Sequence, residues 1–363
     1  MKYRSRIQKI KQKMENDDID YIFLSPGFDM IYFSGVDVEV HEREFFLVIP
    51  KEEEPFFFLN DLMEEEIREK TDIDKFEAWS DDENPQDVLT NLVNSEASKI
   101  LVEDKMPAIF TQKLREIFKE AEFGLSSQLT TEIRINKTEE EVEMLQESAE
   151  IADKVIKEIR ANKEKVVGKT ENELAEFIES KMKEFGGEKP SFNTIAASGS
   201  NGSKPHYEHG NRTIEKGDSI VLDFGCYKNH YPSDQTRTIV LPGEPSEKFK
   251  EVHEIVKQAQ QKAFEKVEPG VRAKEVDKAA RKLIENKGYG EKFIHRTGHG
   301  VGLDLHEPPF INQENERELE RGMVFSIEPG IYIENEFAVR IEDLVVVTEN
   351  GAKRLNKTER SWK

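Results

Sequence analysis

Asp223, Asp234, His299, Glu328 and Glu342 are the residues of this chain whose types and spacing can do chemistry together. They lie in the segments IVLDFGCYKNHYPSDQTRT, HRTGHGVGLDLHE, VFSIEPGIYI and VRIEDLVVV. Four carboxylates and an imidazole form a donor set that suits Mn, Fe, Co or Zn in oxygen-rich sites. Two of the carboxylates can bridge a pair of ions about 3.5–4 Å apart, and such pairs activate a water between them. The five spacings suit one dinuclear site.

Each residue is also unusual in its own surroundings. Asp223 stands among Val221, Leu222 and Phe224, where an unpaired buried charge is costly. A hairpin turn at Lys228-Asn229 makes Asp223 and Asp234 direct cross-strand partners, with Cβ atoms about 4.5–5.5 Å apart. Carboxylates that close repel unless a cation lies between them. The plainer alternative has Asp223 facing solvent and Asp234 capping a turn. His299 sits between Gly298 and Gly300, with His295 and His306 close by in sequence. Glycines there let the backbone approach other groups closely. Glu328 ends the apolar run MVFSIE before Pro329-Gly330, and Glu342 interrupts AVRIEDLVVV. Each of these glutamates has an alternative reading as the exposed face of an edge strand. His206 lies in the loop SGSNGSKPHYEHG, where it can supply a proton or a hydrogen bond to a substrate carbonyl.

The elements that must position these residues are legible in outline. Residues 1–127 read as a small α/β domain. SRIQKIKQKMEND is an amphipathic helix with Ile7, Ile10 and Met14 on one face. DYIFLSP, EREFFLVIP, PFFFLN and SKILVED read as buried strands, and TQKLREIFKEA as a helix. The stretch from Phe123 to Thr138 reads as linker and helix entry, and Thr138 with Glu141 fits a capping box. Residues 128–363 form the second domain, which carries a weak internal repeat. Residues 139–240 run long helix, second helix (NELAEFIESKMKEFG), strands. Residues 246–348 repeat the order with EKFKEVHEIVKQAQQKAFEKV, AKEVDKAARKLIENKGYG and strands. Two such halves, each with a helix pair on a shared sheet, leave a natural central site.

Bulk properties narrow the function. A chain of 363 residues accommodates two domains. A net charge of −21 disfavours nucleic acid, because phosphate contacts need a basic surface. Its one cysteine, Cys226, excludes an internal disulfide. The opening MKYRSRIQKIKQKMENDD holds no apolar signal-peptide core. No apolar run is long enough for a membrane span. A cytoplasmic enzyme that binds no membrane is the expectation.

These segments resemble the pita-bread metallopeptidases, which include methionine aminopeptidase, aminopeptidase P and prolidase. The resemblance rests on residues 130–363. Residues 1–127 more loosely resemble the creatinase-type N-terminal domain. The family's ligand order Asp, Asp, His, Glu, Glu falls on Asp223, Asp234, His299, Glu328 and Glu342. Its substrate-contacting histidines fall on His206, His295 and His306, a tyrosine on Tyr332 and an arginine on Arg340. Gln235 and Arg296 are variations at non-ligand positions. The resemblance implies an α/β (α+β) protein whose second domain carries pseudo-twofold helix pairs on a curved antiparallel sheet. It implies two divalent ions per subunit (Mn, Co, Fe or Zn) and bridging by Asp223 and Glu342. Catalytic roles fall to Glu328 as proton relay and to His206, His295 and His306. His306 and Arg340 are expected at the proline side of a small Xaa-Pro substrate, in a homodimer. An N-terminal domain together with intact ligands implies a peptidase for Xaa-Pro bonds, with dipeptides ahead of longer peptides. An aminopeptidase P, a hydrolase of another small amide and a binding protein that has lost catalysis are the other readings.

Overall fold

A computed structural model describes residues 2–363, which form two compact units, one up to Arg134 and the other Ile135–Lys363. In the first unit, six strands form one mixed sheet: β1 (Tyr21–Leu24), β2 (Phe46–Pro50), β3 (Phe56–Asn60), β4 (Lys75–Trp79), β5 (Lys99–Val102) and β6 (Glu122–Leu125). Their spatial order is β4-β3-β2-β1-β5-β6. The helices are α1 (Lys2–Asp17), α2 (Phe28–Ser34), α3 (Asp61–Arg68), α4 (Pro85–Leu92), α5 (Ala108–Ile117) and α6 (Ser127–Arg134). Ile7, Ile10 and Met14 of α1 are buried, as their spacing requires. The core on one sheet face is aromatic, with Phe23, Phe46, Phe58, Phe110 and Phe118 in contact.

The sequence reading missed several of these elements for physical reasons. β4 is charged and largely half-exposed, so it shows no apolar alternation. The helices α3 and α4 are short and begin at side-chain caps, Asn60 accepting from the Leu62 amide and Asn84 from the Gln86 amide. The stretch read as linker holds β6 and α6, so the first unit runs on past residue 127 through α6.

The second unit contains α7 (Glu139–Ala161), the single turn α8 (Lys163–Val166), α9 (Glu171–Glu184), α10 (Glu247–Glu265) and α11 (Ala273–Asn286). A reciprocal capping box, Thr138 with Glu141, starts α7. The strands of its first half are β7 (Ile195–Ser198), β8 (Ser219–Phe224), β9 (Tyr227–Lys228), β10 (Tyr231–Pro232) and β11 (Gln235–Val240). Those of the second half are β12 (Gly298–Gly300), β13 (Glu307–Ile311), β14 (Val324–Ile327), β15 (Gly330–Ile333), β16 (Phe337–Arg340), β17 (Asp343–Thr348) and β18 (Gly351–Arg354). All their ladders are antiparallel. α7 and α9 pack on the sheet β11-β8-β7, burying Leu222, Phe224 and Ile239. α10 and α11 pack on the sheet of the second half, burying Phe325, Ile327 and Val345. The repeat in the sequence is therefore a repeat in the packing.

The hairpin that carries the two aspartates differs from its sequence reading. Lys228 pairs with Tyr231, and Asp223 faces Thr236, not Asp234. The turn residues are Asn229 and His230, at φ 51° and 67°. A two-residue hairpin loop with positive φ at both centres matches the strand twist, which sets the register. Asp234 then falls diagonally across from Asp223, outside the paired residues of β10 and β11.

Candidate metal centre

The pleat puts Asp223 on one face of β8 and its apolar neighbours Leu222 and Phe224 on the helix-covered face. Ile195, Asp223 and Thr236 form one row across β7, β8 and β11. The second half meets this row through backbone and hydroxyl contacts. The Glu342 amide donates to the Thr236 carbonyl at 3.1 Å. The Arg340 amide donates to Thr238 Oγ1 at 3.0 Å. These contacts bring Glu342, in the bend between β16 and β17, to the aspartates.

His299 is the middle residue of β12. A Cβ on Gly298 would lie 1.8 Å from the Ser326 carbonyl oxygen, and one on Gly300 2.3 Å from that of Pro308. Only glycine permits this packing, and it delivers the imidazole to the cluster. His299 Nε2 lies 3.5 Å from Asp234 Oδ2 and 3.5 Å from Glu328 Oε1. Donor atoms of Asp234, His299 and Glu342 all lie within 4.8 Å of one another. His299 Nδ1 is 3.2 Å from the Gly300 carbonyl, which places the proton on Nδ1 and turns the Nε2 lone pair to the carboxylates. Burial holds this imidazole neutral, with its pKa pushed down to about 3.

The carboxylates are in a hostile medium. Asp223, Asp234 and Glu342 are all under a tenth exposed. Burial, followed by repulsion from neighbouring carboxylates, drives Asp234 and Glu342 well above the usual carboxylate range. Glu328 is raised too, with burial the largest cause. Asp223 Oδ1 and Glu342 Oε1 are buried with no hydrogen-bond partner. Oxygens that have lost water and gained no donor need another positive partner. Together with the neutral imidazole they fit a divalent cation, and Asp223, Asp234, His299, Glu328 and Glu342 are the residues that can hold it.

A chain of polar contacts runs outward from Asp223. Arg340 Nη2 donates to Asp223 Oδ2 at 2.5 Å, Nη1 to the Tyr332 hydroxyl at 2.7 Å, and Nε to Thr236 Oγ1 at 3.2 Å. Thr236 Oγ1 in turn donates to Glu342 Oε2 at 2.8 Å. The Tyr332 hydroxyl is 3.0 Å from His295 Nε2, and His295 Nδ1 is 2.7 Å from the Arg296 carbonyl. Burial, then the Arg340 charge, pushes His295 down to about 4, so it is neutral. The rings of His299 and His306 stand edge to face, 4.3 Å apart.

Every residue singled out from the sequence lines one cavity of about 670 Å³. His206 and His306 are at exposed positions, and the rest lie deeper. The same cavity also takes in Phe192, Asn193, Glu208, Arg296 and Leu305, which the sequence reading did not assign to it. Register was the available signal, since β7 pairs with β8 and Ile195 faces Asp223 directly.

Comparison with known proteins agrees with this geometry. Residues 143–349 match metallopeptidase family M24, and residues 6–136 match the creatinase/prolidase N-terminal domain. The chain belongs to metallopeptidase family M24. It is 40% identical to the Xaa-Pro dipeptidase of Pyrococcus furiosus, over 98% of this chain and 99% of that protein. The crystal structure of a recombinant prolidase from Thermococcus sibiricus superposes with a TM-score of 0.92 at 39% identity, over 99% and 98% of the two chains. An X-Pro aminopeptidase from Thermotoga maritima superposes with a TM-score of 0.84 at 32% identity, over 96% and 99%. As an M24 metallopeptidase the chain is a hydrolase that uses a divalent metal, and it has the mixed α/β architecture of its structural neighbours. Among the described residues no helix is long and apolar enough to cross a membrane.

Proposed function

We propose that this chain hydrolyses Xaa-Pro dipeptides with the help of two divalent ions. The observation that carries this reading is the buried cluster itself, four carboxylates and a neutral imidazole in one cavity, with two oxygens unpartnered. The substrate class is supported by the chain-long similarity to the Pyrococcus furiosus Xaa-Pro dipeptidase. Four carboxylates against the guanidinium of Arg340 leave more negative charge than one divalent ion cancels. Asp223 and Glu342, each with an unpartnered oxygen, would hold the ions together with Asp234, His299 and Glu328. The donor set admits Mn, Co, Fe or Zn.

Bound ions supply Lewis acidity, polarising the scissile carbonyl and lowering the pKa of water. The protein does the rest. Glu328 takes the proton of the attacking water and returns it to the proline nitrogen, which leaves poorly until protonated. His206, on its loop at the cavity rim, donates to the developing oxyanion. His295 is less suited to that role, because both ring nitrogens are engaged, and it instead orients Tyr332. Arg340 likewise has its Nε, Nη1 and Nη2 committed to Thr236, Tyr332 and Asp223. We therefore assign it to holding Asp223, not to gripping the substrate as the sequence reading had it. Arg296 and His306 line the same cavity, and we assign them to the proline carboxylate. A carboxylate needs a cation or several donors close by.

The test compares kcat/KM on Ala-Pro and Ala-Pro-Ala with metal-loaded protein. Faster cleavage of the dipeptide is expected. Equal or faster cleavage of the tripeptide would make the protein an X-Pro aminopeptidase, the reading favoured by its likeness to the Thermotoga maritima enzyme. We further read it as a cytoplasmic homodimer of two-domain subunits, on the strength of the family resemblance, and sedimentation velocity tests the dimer.

A further inference from the structure

A second cavity, of about 370 Å³, lies in the second unit and shares no lining residue with the metal centre. Lys257 of α10, Asp343 at the start of β17, Arg354 at the end of β18, and Asn356, Lys357 and Arg360 of the C-terminal tail line it. Cations predominate there in a chain of net charge −21. Two acids, Asp343 and Glu359, line it as well, but Asp343 is divided between the buried Arg237 at 2.5 Å and Arg354 Nε at 3.2 Å. Arg354 and Arg360 converge on the same neutral acceptors. Arg354 Nη2 donates to Gln260 Oε1 and Gln261 Oε1 at 3.1 and 3.0 Å, and Arg360 Nη1 to the same two atoms at 2.6 and 3.0 Å.

Both guanidiniums are held in place, and the one carboxylate that Arg354 faces, Asp343, is shared with Arg237. Arg354 stacks on Phe264, its Cζ 3.6 Å from the ring centroid. Its Nε is 3.2 Å from Asp343 Oδ2 yet makes no hydrogen bond. Burial and the neighbouring Arg360 lower Arg354 to about 10, and burial lowers Arg360 as well. A second, independent observation is Asn356. It is 3% exposed, its Oδ1 accepts from the Leu344 amide at 2.8 Å, and its Nδ2 is buried with no acceptor. A fixed, unsatisfied donor beside two preorganised guanidiniums is the pattern of an oxyanion site.

We infer that this cavity binds a phosphate group, either as free phosphate or on a small organic phosphate. The volume lies at the lower end of small-molecule sites, roughly 300–1,000 Å³. The chain's net charge keeps polyanions away. The Nε–Nη2 edge of Arg360 can meet a tetrahedral oxyanion bidentately, Arg354 Nη1 and Asn356 Nδ2 add donors, and Lys257 and Lys357, the latter paired with Glu150, close the rim. This site does not depend on the peptidase reading.

Isothermal titration calorimetry tests it, with metal-loaded protein freed of excess metal and a chloride background of constant ionic strength. The probes are inorganic phosphate and adenosine 5′-monophosphate. Saturable binding is expected, and Arg360→Gln and Lys257→Gln should each weaken it roughly ten-fold, the range for losing one charged donor. Lys257 has an exposed side chain, so Lys257→Gln remains a fair test if Arg360→Gln fails to fold. Tighter binding of the nucleotide identifies an organic phosphate as the ligand, and equal or weaker binding identifies free phosphate. Binding that both variants leave unchanged would place the anion at the metal centre and overturn the inference. Absence of binding to wild-type protein at millimolar probe would overturn it too.

Discussion

Asp223 joins the two features that define the centre. One of its oxygens is held by Arg340, and the other is buried without a partner. Asp223→Asn replaces an anionic oxygen by a neutral one and sets an NH2 group against either Arg340 or an ion. We expect a loss of turnover beyond the ~10–100-fold typical of losing an outer partner, with near-UV circular dichroism unchanged. Near-normal turnover at saturating Mn would remove Asp223 from the ligand set. His306 belongs to a different class. Its ring packs edge to face on His299, and it stands at an exposed position of the cavity. His306→Ala should raise KM and leave metal content unchanged, and elemental analysis that found an ion missing would make His306 a ligand. At this scale the sequence was informative because the residue types themselves are informative. An acid inside an apolar run advertises that something positive must meet it. What residue type did not reveal was commitment. Arg340 was legible as a candidate, yet only its three contacts tie it to Asp223, Tyr332 and Thr236.

The strand β11 shows how one element serves both faces of a sheet. Thr236 and Thr238 turn toward the metal centre and tie Glu342 and Arg340 to it. Gln235 and Arg237 turn the other way. Arg237 is 1% exposed and donates to the Glu342 carbonyl, the Asp343 carboxylate and the carbonyls of Thr358 and Glu359. Gln235 Nε2 reaches Asp153 and Thr358. The C-terminal tail is therefore tied behind the strand that presents Glu342. Breaking a buried ion pair costs about 3–5 kcal/mol. Arg237→Met should lower the melting temperature and also weaken metal retention during dialysis, and Arg237→Lys should restore part of both. Retention equal to wild type in a destabilised Arg237→Met protein would confine Arg237 to a structural role. None of this was legible in SDQTRT, because a strand's period of two says which residues share a face but not what covers each face.

At the scale of the whole molecule, the two units should answer different perturbations. The proposed metal ligands all lie in the second unit, so a ligand at a hundred times its Kd would stabilise that unit by about 2.7 kcal/mol. Chelation should lower its unfolding transition and leave that of the first unit in place. The first unit has its own titrating group. Glu103, on the segment after β5, is raised to about 7 by burial first and then by Asp29. A carboxyl raised from 4.5 to about 7 in the folded state stabilises the fold below pH 4.5, and that stability is lost as pH rises through 7. Glu103→Gln should therefore stabilise the first unit at pH 8, by on the order of 2 kcal/mol, and have little effect at pH 4. Urea unfolding of a Trp362→Phe background, in which Trp79 reports on the first unit, would show this, and an equal effect at both pH values would contradict it.

The sequence by itself determined the chemistry and the halves. The candidate ligand types, the helix pairs, the capping box at Thr138 and the repeat of helix, helix, strands are local or periodic properties, and each was readable at its own place in the chain. Tertiary structure decided how those pieces meet. The Asn229-His230 turn set a register in which Asp223 faces Thr236. Close packing at Gly298 and Gly300 brought His299 within reach of Asp234 and Glu328. The fold committed Arg340 to Asp223 and gathered Arg354, Asn356 and Arg360 into a second cavity. Contacts between distant segments depend on register and packing, which no single window of residues contains.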